Sequence, residues 1–236
     1  MHAITEAIKA GKQIDKIVVR RGQDNPLTRE MLSEARKTEI PIQFVPIEKI
    51  DWLCKQNHQG ALAYISPIEY QKIDEIIPYI FDQGKMPFIL VLDQITDVRN
   101  FGAICRSAEC AGVDAIIVPD KGAAPINADS IKTSAGALSI VPVCRTSNMT
   151  ETIKYLKMSG ITVYAVTEKT ENIYHGKDMN VPLALIVGSE DTGISASLLR
   201  DADEFLKIPL LGNIESLNAS VAASILMYEV VRQRTN

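Results

Sequence analysis

The sequence has no run of 18 apolar residues and no two glycines standing two positions apart. The first absence argues against a membrane-spanning helix. The second means that the GxGxxG turn, through which a backbone approaches a dinucleotide pyrophosphate, cannot be written anywhere, which argues against NAD. Gly188 and Gly193 have the glycine spacing of a phosphate loop, but Ile194-Ser195 follows where Lys-Ser or Lys-Thr must reach phosphates and magnesium. ATP hydrolysis is disfavoured on the same ground. GxSxG is missing, and His2, His58 and His175 lie outside the polar clusters described below, so a serine hydrolase fits no better. Cys54, Cys105, Cys110 and Cys144 show no CxxC spacing and read as reduced, mostly buried thiols. No metal is expected.

Positive charge is also in short supply, with 25 Lys+Arg against 29 Asp+Glu. A phosphate-binding protein often shows the opposite balance. The distribution is uneven, however: residues 9–37 carry Lys9, Lys12, Lys16, Arg20, Arg21, Arg29, Arg36 and Lys37 against Asp15, Asp24, Glu30 and Glu34. This local excess is a modest hint of nucleic acid, since a charged face on a small domain is usually just solvated. The start, Met1-His-Ala-Ile-Thr-Glu, lacks the basic opening and long apolar stretch of a signal peptide, so a cytoplasmic protein is expected.

What is present suits a compact α/β protein. The chain has 236 residues, 46% of them hydrophobic, which allows one good core and a smaller second one. In residues 1–66, Ile17-Val-Val-Arg20, Ile42-Gln-Phe-Val45 and Ala61-Leu-Ala-Tyr-Ile65 read as strands, with helical patterns around 3–10, 27–38 and 47–56. That alternation predicts a small α/β domain. Residues 67–87 read as a linker holding one amphipathic helix, bounded by Ser66-Pro67 and Gly84-Lys-Met-Pro87. In 88–236 the strands are near-continuous apolar runs: 88–92, 115–118, 161–166, 183–187 and 205–208. Such runs predict a parallel sheet covered by helices on both faces. The last helix, about 217–232, places Val221, Ile225 and Tyr228 on one apolar face.

Three polar clusters follow apolar runs in this second region: Asn100-Phe-Gly102-Ala-Ile-Cys-Arg106, Gly188-Ser-Glu190-Asp-Thr-Gly193, and Ile208-Pro209-Leu-Leu-Gly-Asn-Ile-Glu-Ser216-Leu217-Asn218-Ala-Ser220. Strand ends are where α/β proteins build sites. The triplet resembles the three motifs of the SpoU (TrmH-like) class of knotted RNA ribose methyltransferases, in the same order and over about Phe88 to Arg234. The first domain is similar to that family's RNA-binding domain. Its His2-Ala-Ile-Thr-Glu-Ala-Ile8 and Asn57-His-Gln-Gly-Ala61 resemble the subfamily that modifies a guanosine of large-subunit ribosomal RNA.

The resemblance implies transfer of a methyl group from S-adenosylmethionine to a ribose 2′-hydroxyl, with S-adenosylhomocysteine as product and ribosomal RNA preferred over transfer RNA. It also implies a C-terminal trefoil knot and a homodimer; the apolar face of 217–232 would serve either a partner or the core. By position, Gly188, Ile208 and Leu217 would contact the cofactor, with Val187, Thr167 and Leu210 beside them. Gly188 would let the cofactor approach closely. Arg106 is the implied catalytic residue, although a guanidinium is normally fixed as protonated. Either it removes the hydroxyl proton, or it holds phosphate and steadies the developing alkoxide while the proton leaves elsewhere, for instance to Glu190. Asn100, Glu190, Ser216 and Asn218 would orient these groups, against the plainer readings of Asn100 as an N-cap and Glu190 as a solvated turn residue. Arg20, Arg21, His58, Gln59 and Lys132 are candidates for RNA contacts.

Overall fold

A computed structural model describes residues 1–235 and divides them into two compact units, Met1–Glu69 and Tyr70 onward. In the first unit the order is α1 (His2–Lys9), β1 (Ile14–Arg20), α2 (Pro26–Lys37), β2 (Ile42–Val45), α3 (Ile47–Leu53) and β3 (Ala61–Ile65). Its three-stranded sheet has the order β2-β1-β3, with β2 parallel and β3 antiparallel to β1. Ile14, Ile17 and Val19 of β1 pack with Ile8 of α1 and with Met31 and Ala35 of α2. Val18 points the other way, as strand alternation requires, and meets Val45 and Ile50 beneath α3.

The second unit runs β4 (Tyr70–Gln71), α4 (Ile73–Asp82), β5 (Phe88–Asp93), α5 (Val98–Cys110), β6 (Ala115–Pro119), α6 (Ala128–Thr133) and β7 (Val143–Thr146). It continues with α7 (Met149–Met158), β8 (Thr162–Val166), β9 (Leu183–Gly188), α8 (Ala196–Asp201), β10 (Glu204–Leu206) and α9 (Ala219–Arg234). Among the described residues these strands form one seven-stranded sheet, ordered β10-β8-β9-β5-β6-β7-β4 and parallel throughout. Every residue of β5 is buried, so both faces are covered. Ile89 and Val91 share a core with Ile77 of α4, Ile153 of α7 and Leu198 of α8. On α5, Phe101, Ile104 and Cys105 are buried, and this helix packs against α6 and α9.

Several expectations need correction. Residues 70–82 are not a linker: β4 pairs with β7 as the sheet's edge, and Ile77 and Ile80 sit in its core. Strand β7 is not readable from sequence, because Val143-Cys-Arg-Thr146 carries a half-buried arginine whose guanidinium lies 4.3 Å from the Tyr70 ring centroid. The buried stripe of α9 is Ala219, Ala223, Leu226, Met227 and Val230, while Val221 and Tyr228 are 45% and 51% exposed. Cys105 and Cys144 are buried, but Cys110 is exposed and Cys54 half-buried. Burial pushes the Cys105 thiol far above its ordinary range and Cys144 up to about 12, so neither is a thiolate at neutral pH.

Candidate active site

The carboxyl ends of β8, β9 and β5 lie side by side, with Asp93 of β5 in register with Gly188 of β9. Beyond β9 the chain folds back within one short turn. The Gly193 N–H donates to the Ser189 carbonyl at 2.9 Å, and the Ser189 and Thr192 hydroxyls meet at 2.7 Å. Gly193 takes φ +68°, the left-handed region where glycine has no steric penalty. This reversal drives the backbone of 193–194 against Gly188. A Cβ on Gly188 would stand 2.2 Å from the Gly193 carbonyl carbon and 2.4 Å from the Ile194 nitrogen. The loop's own backbone therefore already requires glycine at 188. The far end of the loop is pinned by Asp93, whose buried carboxylate accepts the Ser195 N–H at 2.6 Å.

Glu190, in that turn, joins the three polar clusters. Its Oε1 accepts from Asn100 Nδ2 at 2.7 Å, from Asn218 Nδ2 at 2.7 Å and from the Ala219 N–H at 3.1 Å. The other Asn218 amide hydrogen goes to Asn100 Oδ1 at 2.9 Å. Asn218 Oδ1 meanwhile caps α9 by accepting from the Ser220 N–H at 2.9 Å. Asn100 is not an N-cap; Asp97 fills that role, accepting the Asn100 N–H at 2.7 Å. Three N–H donors converge on one carboxylate oxygen, which fixes the position of the Glu190 side chain through charge-assisted hydrogen bonds. A second contact ties the same helices further along, from the Ser224 hydroxyl to the Ser107 hydroxyl at 2.8 Å. Gly102 serves the packing of α5 instead. A Cβ there would lie 2.7 Å from Thr133 Cβ, so glycine lets α6 close onto α5.

Beside this node is a cleft of about 350 Å³, within the range of small-molecule sites. Thr167, Val187, Gly188, Ile208, Leu210 and Leu217 all line it, together with Glu190 and Ser216. The wall also includes the apolar side chains of Val166, Ala219 and Ala222. Glu168, Asp191 and Glu215 face it against a single cation, Lys169. Glu168 follows Thr167, Asp191 follows Glu190 and Glu215 precedes Ser216, so adjacency to these candidates is the only signal for them. Nothing in the sequence pattern points to Asp93, Ser107 or Ser224 as supports.

Arg106 does not line the cleft, and its side chain is exposed, with no hydrogen bond or ion pair among the described residues. Six residues along an α-helix advance about 9 Å and turn roughly 240°, so Asn100 and Arg106 lie on different faces of α5. Ser107, seven residues on, is the one that shares the Asn100 stripe. Lys132 is exposed on α6.

Within the first unit, four RNA candidates gather where β1 ends and β3 begins. The Arg20 N–H donates to the Gly60 carbonyl at 2.9 Å, and Gln23 Nε2 donates to the Gln59 carbonyl at 2.9 Å. Arg20, Arg21 and Gln59 are exposed. His58 is not available for base contacts. Its Nδ1 accepts from the Gly60 N–H at 3.0 Å, which places the ring proton on Nε2, 2.8 Å from Asp51 Oδ1. Both ring nitrogens are used to clamp the loop to α3.

Among the described residues no group of three or more His, Cys, Asp or Glu could hold a metal ion, and no helix is long and apolar enough to cross a membrane. Residues 87–228 match the SpoU rRNA methylase family, and residues 1–71 match the substrate-binding domain of RNA 2′-O ribose methyltransferases. A protein of Staphylococcus saprophyticus assigned to the TrmH family of tRNA/rRNA methyltransferases is 38% identical over 237 residues, covering 99% of this chain and 94% of its own. A crystal structure of an RNA 2′-O ribose methyltransferase is 26% identical with a TM-score of 0.60, over 99% of this chain and 86% of that one. The fold is also that of the SpoU methyltransferase AviRb from Streptomyces viridochromogenes in complex with S-adenosylmethionine, at 24% identity, TM-score 0.64, and coverage of 99% and 88%.

Proposed function

The chain belongs to the SpoU rRNA methylase family, and on that premise we propose that it transfers a methyl group from S-adenosylmethionine to a ribose 2′-hydroxyl of RNA. The observation that carries this reading is the Glu190 node, where one carboxylate oxygen holds Asn100 and Asn218 together at the edge of the cleft. The residues present fit the cofactor. Val166, Val187, Ile208 and Leu217 offer apolar surface for an adenine, and the carboxylates of Glu168, Asp191 and Glu215 complement a positively charged donor. The cofactor supplies an activated methyl on a sulfonium, so the protein has to supply position more than reactivity.

In this assignment Glu190 is a brace. Its Oε1 accepts from three N–H groups of Asn100, Asn218 and Ala219, and so holds the two motif helices in register as an orienting group. Arg106, exposed on α5, meets the RNA: it holds a phosphate and stabilises negative charge as it develops on the 2′-oxygen, and the hydroxyl proton leaves to water. Ser216, in the cleft wall, orients the ribose or donor. The first unit selects the RNA through Arg20 and Arg21, and Lys132 adds a backbone contact on the second.

We assign the substrate to a guanosine of large-subunit ribosomal RNA, which makes the protein a cytoplasmic rRNA-processing enzyme. Similarity of the His2–Ile8 and Asn57–Ala61 segments to that subfamily supports it. Transfer RNA is the competing reading, favoured by the tRNA/rRNA description of the staphylococcal relative. The family resemblance also supports a trefoil knot around the cofactor loops and a homodimer, for which the exposed Val221 and Tyr228 of α9 offer an apolar surface. Mapping ribose methylation across total RNA, with and without the protein, tests the assignment. Loss of one methyl in large-subunit RNA is expected; loss in a transfer RNA would move the substrate, and no loss anywhere would overturn the reading.

A further inference from the structure

The first unit holds the chain's one tryptophan, Trp52, and leaves it 75% exposed. Helix α3 is anchored through Ile50, which is fully buried with Val18 and Val45, and through Ile47 one turn earlier. Two residues beyond Ile50 the helix has turned about 200°, so the indole stands on the face opposite the core. A large ring left in water forgoes the burial that would stabilise the fold. Its surroundings are fixed. The Asp51–His58–Gly60 clamp holds the following loop to the helix beside Trp52. Lys49, three residues before, and Lys55, three after, are both exposed. Asp51, which accepts from His58, and the exposed Glu48 bring two carboxylates to the same helix.

We propose that Trp52 is a stacking platform for an unpaired base of the RNA substrate, with Lys49 and Lys55 meeting the flanking phosphates. The inference rests on the RNA-methyltransferase reading and names a recognition element for it. A flat, exposed indole flanked by ammonium groups is the chemistry that captures single-stranded RNA, because every base has a π-face and every nucleotide a phosphate. An A-form duplex keeps its bases stacked on one another and offers no such face. Since Lys49 and Lys55 are balanced by Glu48 and Asp51, the Trp52 contribution comes from stacking and is less sensitive to salt than that of Arg20 and Arg21.

Because Trp52 is the single tryptophan, its emission reports on this site in the full-length protein. Titration with single-stranded oligoadenylate is expected to quench it, and a blunt RNA duplex of equal length is not. In anisotropy measurements with labelled oligoadenylate, Trp52→Ala should weaken binding roughly tenfold and Trp52→Phe within about threefold, with the Ala effect persisting at high salt. Unchanged emission while anisotropy shows RNA bound, unchanged affinity of Trp52→Ala, or emission that varies with protein concentration in the absence of RNA would each overturn the platform. The last result would place a second copy of the chain on the indole. Methyl transfer by the unsubstituted protein separates the two levels: transfer with an indifferent Trp52 sinks only the platform, whereas no RNA binding and no transfer sink the parent reading as well.

Discussion

The two units build their candidate sites in opposite ways. In the second, the polar groups are locked to one another: Glu190, Asn100 and Asn218 satisfy each other around one oxygen, and the cleft beside them is walled by strand ends. In the first, Arg20, Arg21 and Trp52 stand out in solvent on a small three-stranded scaffold. A methyl-transfer centre needs its geometry fixed before the substrate arrives, whereas an RNA-reading surface needs reach and exposed π-faces and charges. Substitutions at the node and cleft of the second unit should therefore act on fold and turnover, and those on the exposed surface of the first on RNA affinity.

Gly188→Ala should have the largest structural effect, because the added carbon would overlap backbone rather than a movable side chain. We expect at least about 3 kcal/mol of lost stability in urea unfolding, at the top of the range for overpacking, together with loss of cofactor binding in calorimetry. A Gly188→Ala protein that binds normally would break the explanation of the loop. Glu190→Gln comes next. It adds two amide hydrogens at a node already crowded with donors, and one lost charge-assisted bond of about 1.5–3 kcal/mol corresponds to roughly ten- to hundredfold in turnover. An unchanged rate would show the node to be incidental.

The first unit supplies the contrast. Arg20→Ala and Arg21→Ala should each reduce the salt dependence of RNA binding by about one in the logarithmic slope, with cofactor binding unchanged. An effect on cofactor affinity would erase the division of labour. The smallest effect concerns thiols: an alkylating reagent at neutral pH should modify Cys110 first and Cys54 more slowly, while Cys105 and Cys144 react only on unfolding. Mass spectrometry of partly labelled protein reads that order directly.

Legibility in the sequence follows the same division. The parallel sheet can be read because β5, β6, β8 and β9 are unbroken apolar runs, the mark of strands buried on both faces. One end of it cannot: the edge strand β4 is two residues long, and its neighbour β7 interrupts its apolar run with Arg145, whose guanidinium is covered by the Tyr70 ring. The first unit's strands are legible in place but short at one end, β1 beginning at Ile14 where a register shift against β3 interrupts the alternation. The membership of the three clusters is visible from their motifs, but not their wiring, since the contact between Asn100 and Asn218 spans 118 positions and is set by how α5 and α9 pack. His58 cannot be distinguished from a free base-reading group until both nitrogens have partners. Gly188 stands out in the sequence as a required glycine, but for a physical reason the sequence does not contain, because the turn of 189–193 that crowds it exists only in three dimensions.

The central claim is that the node and cleft bind the donor while Arg106, outside both, acts on the RNA. It is tested most directly by measuring donor binding and methyl transfer in parallel on Arg106→Ala. Calorimetric affinity for S-adenosylmethionine is predicted to stay within about twofold of the unsubstituted protein, since Arg106 does not line the cleft, and methyl transfer to RNA to fall at least a hundredfold, roughly the scale of losing a group that stabilises developing charge. Near-normal turnover in that variant, or loss of donor binding along with activity, would contradict it.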